Sequence, residues 1–185
     1  MRDHILKVAE KLFYEEGIRA IGIDRIVAEA DIAKATLYRH FPAKTDLVAA
    51  YLKARNERVL EAMGQIAATD RASPAERIRT IFRNLHEKAD TPSFRGCAFM
   101  LALAESEGTP EVVAIAREHK SVVRQILLEL CRDFAREPER LSKRIALCYE
   151  GALATIAVDR DPDAAQVALD IVDALVQADS AAPRP

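Results

Sequence analysis

The chain has 185 residues, half of them hydrophobic and 30% charged, with a formal net charge of −2. That length buries one core or two small ones, and the composition is too apolar for a disordered chain. No apolar run approaches the roughly 20 residues of a helical membrane span. Met1-Arg2-Asp3-His4 leads straight into a charged amphipathic pattern, so neither a secretory signal nor a membrane partner is expected. Cys97, Cys131 and Cys148 are widely spaced and odd in number, which fits reduced thiols of a cytoplasmic protein better than a disulfide frame or a zinc site. Charge is unevenly spread. Residues 1–55 hold ten Lys and Arg against eight Asp and Glu, and the rest of the chain is net acidic. A basic patch from Lys34 to Arg55 points to an anionic partner at one end.

Apolar residues recur at helical spacing nearly everywhere, and no alternating β-branched run appears, so the fold class is all-α. Ile5, Val8, Ala9, Leu12 and Phe13 make the first face, and Gly17 stops that helix. Short helices follow at 23–30 and 34–41, the second ended by Pro42. A longer helix starts near Lys44 and carries Val48, Tyr51, Leu52, Val59 and Met63. Ser73-Pro74-Ala75-Glu76 reads as a helix start, with Ser73 as cap, Pro74 at the first position and Glu76 reaching back to Ser73. The next helix follows Gly96 and ends at Gly108, with Glu105 and Glu107 marking its exposed end. Thr109-Pro110 opens a long helix to about Glu137, broken by Pro138. Leu141 to Ile156 form another apolar face, and Asp161-Pro162 opens the last helix. The expected domains are 1–46, 47–178 and a frayed tail at 179–185.

Two short helices joined by the turn Asp31-Ile32-Ala33 make a helix-turn-helix, whose second helix enters the DNA major groove. Asp31 stands where the turn needs a residue tolerant of a left-handed conformation. Ile26, Ile32 and Leu37 form a small core, leaving Lys34, Thr36, Tyr38, Arg39 and His40 to face phosphates and base edges. Lys44 begins the next helix, whose amides and positive dipole end also favour a phosphate.

The run Ala35-Thr36-Leu37-Tyr38-Arg39-His40-Phe41-Pro42-Ala43-Lys44-Thr45-Asp46-Leu47 resembles the recognition helix and following turn of the TetR family of transcriptional regulators. Ala9 to Phe13, Gly17 and Ile23 to Ala30 fit the first two helices of the same family, so the resemblance covers about residues 3–50. It implies base or phosphate contacts for Lys34 and Thr36, backbone contacts for Tyr38 and His40, and a phosphate anchor at Lys44. It also places the Gly22 amide toward phosphate. Asp31 replaces a frequent Gly, and Ala33 and Ala43 replace frequent serines, which removes individual capping contacts. A basic arm ahead of the first helix is lacking, so no minor-groove arm is expected. The resemblance further implies a three-helix DNA-binding domain followed by about six helices for effector binding and dimerisation, with repression the commonest outcome.

In the second part, Phe82, His86, Phe99, Met100, Leu103, His119 and Val123 line either a cavity or a solid core, and the same residues serve both. The resemblance favours the cavity. His86, His119 and Tyr149 are then its few polar groups, and the effector is small and hydrophobic. His4 is expected to be plain surface. The last two helices are apolar over more than one face. Leu153, Ile156, Val167, Ala168, Ile171 and Leu175 are candidates for a four-helix dimer interface, against the alternative that both faces pack within one subunit. There is no Gly-rich phosphate loop, nucleophile elbow or metal-ligand cluster, so no enzyme, cofactor or metal is expected. The expected partners are a near-palindromic double-stranded operator, a second copy of the chain and the effector. Two rival readings are a thiol sensor working through Cys97 and a helical interaction module without DNA binding.

Overall fold

The computed structural model describes residues 1–105 and 109–181. Glu107, Gly108 and residues 182–185 of the predicted tail lie outside the described residues. Among these residues the chain is helical throughout, with α1 (Arg2–Glu16), α2 (Ile23–Glu29), α3 (Lys34–His40), α4 (Lys44–Ala67), α5 (Pro74–Ala89), α6 (Ala98–Glu105), α7 (Pro110–Arg132), α8 (Pro138–Asp159) and α9 (Ala164–Ala181). The predicted all-α class and the nine predicted helices are all present.

The local chemistry that starts and stops these helices is mostly visible. Pro74 and Pro138 occupy the first turns of α5 and α8, where the missing N–H costs nothing. The Ser73 hydroxyl accepts from the Glu76 amide at 3.3 Å. The other half of the expected capping box is not made, because the Glu76 carboxylate turns along the helix to Arg83 at 2.6 Å and Arg79 at 3.2 Å. Those bonds, Arg83 first, hold its pKa below the ordinary carboxylate value. The long seventh helix stops at Arg132, five residues short of Glu137. Phe134 and Ala135 both bond back to the Cys131 carbonyl, and the Arg136 amide donates to the Asp179 carboxylate at 2.8 Å. That side-chain acceptor offers the backbone an alternative to another helical turn. At the other end of the chain, α9 runs three residues past the expected end at 178.

The chain divides into two compact units. The first comprises Met1–Arg58 and Ala98–His119. Here α1, α2 and α3 pack on one another, and Ile5, Ala9, Phe13, Ile26, Leu37 and Phe41 are buried. The second comprises Val59–Cys97 and Lys120–Pro185. In it α9 packs on α8 and α5 around Ile78, Phe82, Leu127, Ile145 and Ile156. The helices α4 and α7 contribute to both units, and the expected boundary at 46/47 falls within the first turn of α4.

Gly96 joins α5 to α6 with φ +83, a conformation that side chains rarely adopt. A Cβ there would stand 2.7 Å from the Ala157 Cβ and 3.0 Å from the Leu153 carbonyl oxygen. Gly96→Ala therefore combines left-handed strain with a clash against helix backbone. The expected cost is about 2 kcal/mol, seen as a fall of about 4–8 °C in melting temperature by circular dichroism.

Candidate functional site

The turn between α2 and α3 is built by backbone geometry. Asp31 takes a left-handed conformation at φ 50, as its short polar side chain tolerates. The Ile32 amide bonds to the Val27 carbonyl at 3.2 Å and the Asp31 amide to the Ala28 carbonyl at 3.3 Å. This pair of bonds closes the carbonyl end of α2, the arrangement usually given to glycine. His4, expected to be idle surface, also serves here, with its Nε2 donating to the Ala30 carbonyl at 2.9 Å.

On α3 only Leu37 is fully buried, and Phe41 follows it one turn later on the same inner face. Lys34, Tyr38 and Arg39 are exposed on the outer face, and Thr36 and His40 flank it, half-buried. The structure thus brings the predicted DNA-facing residues of α3 together on one outward surface. Gly22 is exposed at the start of α2. Lys34 is not idle. Its Nζ lies 2.8 Å from Asp24 on α2, and this hydrogen bond raises the lysine pKa.

Lys44 is oriented differently from the expectation. Its Nζ turns inward and donates to the Ile18 carbonyl at 2.6 Å, and burial lowers its pKa. The first turn of α4 is closed by Asp46, whose carboxylate accepts from the Ala43 amide at 2.9 Å. Sequence reasoning missed a further pair. Glu105, at the end of α6, accepts from the Arg19 amide through Oε2 and from the Arg19 Nε through its backbone oxygen, both at 2.7 Å. The same carboxylate lies where a Cβ on Gly17 (φ +100) would come within 3.1 Å, so glycine leaves room for it. No local pattern announces a contact across 86 positions.

The family model described as "Bacterial regulatory proteins, tetR family" matches residues 5–51. An HTH-type transcriptional regulator of Staphylococcus aureus (strain USA300) is 50% identical over 46 residues, a match spanning a quarter of this chain and a quarter of that protein. Over the whole length, a solved TetR-family transcriptional regulator from Streptomyces coelicolor is 31% identical, with a TM-score of 0.88, covering 97% of this chain and 95% of its own. The chain belongs to the TetR family of transcriptional regulators. A putative TetR regulator from Streptomyces avermitilis is 26% identical with a TM-score of 0.82, covering 96% of this chain and 97% of its own.

The residues expected in a TetR effector cavity divide between the two units. In the first, Phe99 stacks on His119 with centroids 3.8 Å apart, and the His119 Nδ1 donates to the Asn56 side-chain oxygen at 2.8 Å. Met100 is exposed and Leu103 half-buried. In the second, Phe82 meets Tyr149 edge-on at 5.7 Å, with Val123 buried in the same core. His86 is half-exposed and donates to the Pro162 carbonyl at 3.0 Å. Among the thiols, burial pushes Cys131 up to about 12 and raises Cys148, so neither forms a thiolate readily. Cys97 is half-buried. Among the described residues no group of three or more His, Cys, Asp or Glu could hold a metal ion.

The dimer candidates also divide. Leu153, Ile156 and Ala168 are at most 8% exposed and pack inside their own subunit. Val167 and Ile171 are exposed, and Leu175 is half-buried. The outer face of α8 instead carries Leu147, Gly151, Ala154 and Val158, all exposed and spaced by four, three and four positions. The outer face of α9 repeats that spacing with Val167, Ile171, Ala174 and Ala178.

Two outcomes follow for DNA affinity. Asp24→Asn removes a carboxylate from beside the recognition helix and frees Lys34, so binding should tighten about three- to tenfold at low salt, the gain fading at higher salt. Lys44→Ala should weaken DNA binding and also lower the melting temperature by about 2–4 °C, because the Ile18 carbonyl loses a charged donor. Fluorescence anisotropy across a salt series and thermal melts check both. Unchanged melting in Lys44→Ala would show the inward bond to be without consequence.

Proposed function

We propose that the chain is a DNA-binding repressor that grips a near-palindromic operator as a homodimer and releases it when a small hydrophobic effector binds. The observation that carries this reading is α3 itself. A helix locked inward by Leu37 presents Lys34, Tyr38 and Arg39 outward, in a chain like a TetR-family regulator along its whole length. Seven residues reach only a few base pairs, so useful specificity requires two copies with half-sites about one helical turn apart. Lys34, Thr36, Tyr38, Arg39 and His40 make the contacts, with the Gly22 amide beside them and Lys44 supporting the turn.

The apolar stripes on the outer faces of α8 and α9 support the second copy. Small residues in each stripe, Gly151 with Ala154 and Ala174 with Ala178, let helices approach closely, and bulky ones at the ends fill the gaps. Effector response follows from differential binding. A ligand preferring the DNA-free state 100-fold shifts the balance by about 2.7 kcal/mol, enough to empty an operator.

Selection from random DNA followed by gel shift should recover a two-fold site, and failure to enrich any sequence would overturn the reading. Leu147→Glu combined with Ile171→Glu should give monomers by light scattering, with melting near that of the unaltered chain and operator affinity lost by a factor of at least about 100. A monomeric unaltered chain would sink the dimer.

A further inference from the structure

We propose that a cleft in the first unit, walled by Lys44 and Arg19, is a binding site for a small monocarboxylate with a short apolar chain. It shares no residue with the candidate effector site, and its test does not depend on the effector reading above.

The cleft has a volume of about 260 Å³, and every residue lining it belongs to the first unit. Sites for drug-sized ligands run to about 300–1,000 Å³, so this one suits a smaller molecule. The α1–α2 connection, the start of α4, the end of α6 and the start of α7 meet there. Ile18, Val48 and Val112 are its apolar lining, and they expose only small parts of their side chains, enough for a short chain and no more. Thr45 and Thr109 add hydroxyls.

Lys44 sets the charge preference. Its Nζ donates to the Ile18 carbonyl at 2.6 Å and stands 5.9 Å from the centre of the Phe13 ring. Both partners are neutral, and among the described residues no carboxylate is bonded to this half-buried ammonium. Burial lowers the lysine pKa, and the field of Glu105 only partly opposes that. Glu105 itself is held by Arg19, whose amide donates to the carboxylate and whose Nε donates to the backbone oxygen. The lining thus carries two cations, Arg19 and Lys44, against one acid, Glu105. The acids next to lining residues on the chain are engaged elsewhere, Asp46 with the Ala43 amide and Glu111 with Lys53. A partly buried charge is stabilised by an opposite charge bonded to it. An ammonium has three N–H donors, so a carboxylate oxygen can take a second one while the Ile18 carbonyl keeps the first. A single negative charge matches the excess of one cation. A cationic ligand would add to that excess, and a phosphate offers no chain to the apolar lining.

Amide NMR titrations of the full chain at constant ionic strength test this with butyrate, butyramide, butylammonium and inorganic phosphate. Butyrate should shift the amides of Thr45, Val48, Thr109 and Val112 and saturate with a Kd on the order of 1 mM. It should bind at least about tenfold tighter than butyramide or phosphate, and butylammonium should not saturate. Glu105→Gln keeps an acceptor for the Arg19 amide and removes the opposing charge, so butyrate should bind about three- to fivefold tighter with butyramide unchanged. Lys44→Gln should weaken butyrate at least about tenfold and leave butyramide where it was, a difference that loss of a merely structural bond would not produce. Absence of saturation by butyrate, equal binding of butyramide or of phosphate, or shifts confined to other residues overturns the proposal. So does weaker butyrate binding in Glu105→Gln, or unchanged binding in Lys44→Gln. The Glu105→Gln arm decides even where Lys44→Gln does not fold.

Discussion

A seven-residue helix does not hold its shape in water, because nucleation costs more than so few hydrogen bonds return. The recognition helix exists only because Leu37 and Phe41 are buried, each contributing about 1.5–3 kcal/mol of apolar burial. Everything outward of them depends on that anchoring. Lys34, Tyr38 and Arg39 have a defined direction only while Leu37 stays in place, and Leu37 stays only while Ile26 on α2, Ala30 just after it and Ile5 and Ala9 on α1 are there to pack the same small core. The turn that sets α2 against α3 adds only the half-buried Ile32 to that core. Two backbone bonds, a left-handed Asp31 and the His4 donor fix it.

Three cations near this surface are already paired within the chain. Lys34 is held by Asp24, Arg25 lies within 4 Å of Glu16 and Glu29, and Lys44 donates to the Ile18 carbonyl. Binding to a phosphate is then an exchange of partners, so each contact yields less than a free lysine would. Exposed pairs of this kind contribute little to folding. Their effect falls on recognition, since they weaken attachment to DNA in general and leave base contacts to decide where the protein rests.

The helical plan was legible because its signals are local. Pro74 and Pro138 each open a helix, Gly17 ends one, and Asp31 sits where the turn demands it. The recognition helix was legible from Leu37 and Phe41 together with the charged residues around them. Direction in space was not. Lys44 looked like a phosphate anchor, and nothing near it in sequence reveals that the Ile18 carbonyl, 26 positions earlier, is within reach. The Glu105 contact with Arg19 was invisible for the same reason. On α8 and α9, periodicity showed two apolar faces and could not say which was inward. Leu153, Ile156 and Ala168 were therefore grouped with Val167 and Ile171, whereas burial in the core of their own unit separates them.

That separation gives α8 two distinct faces. Leu147 and Tyr149 are two positions apart and so project roughly 200° apart around the helix axis. Leu147 begins the exposed outer stripe, and Tyr149 turns toward Phe82 in the core. Continuous α-helix runs through both positions and on to Asp159. A displacement of the Tyr149 ring therefore has no flexible joint in which to be lost, and the outer stripe must move with the inner one. Close-packed helices answer such a push by settling into another packing rather than by bending gradually. Joining the two faces in this way requires no residue that touches both. It requires only that the apolar periodicity of one helix be satisfied on two sides at once, which is the feature that made α8 ambiguous in the sequence.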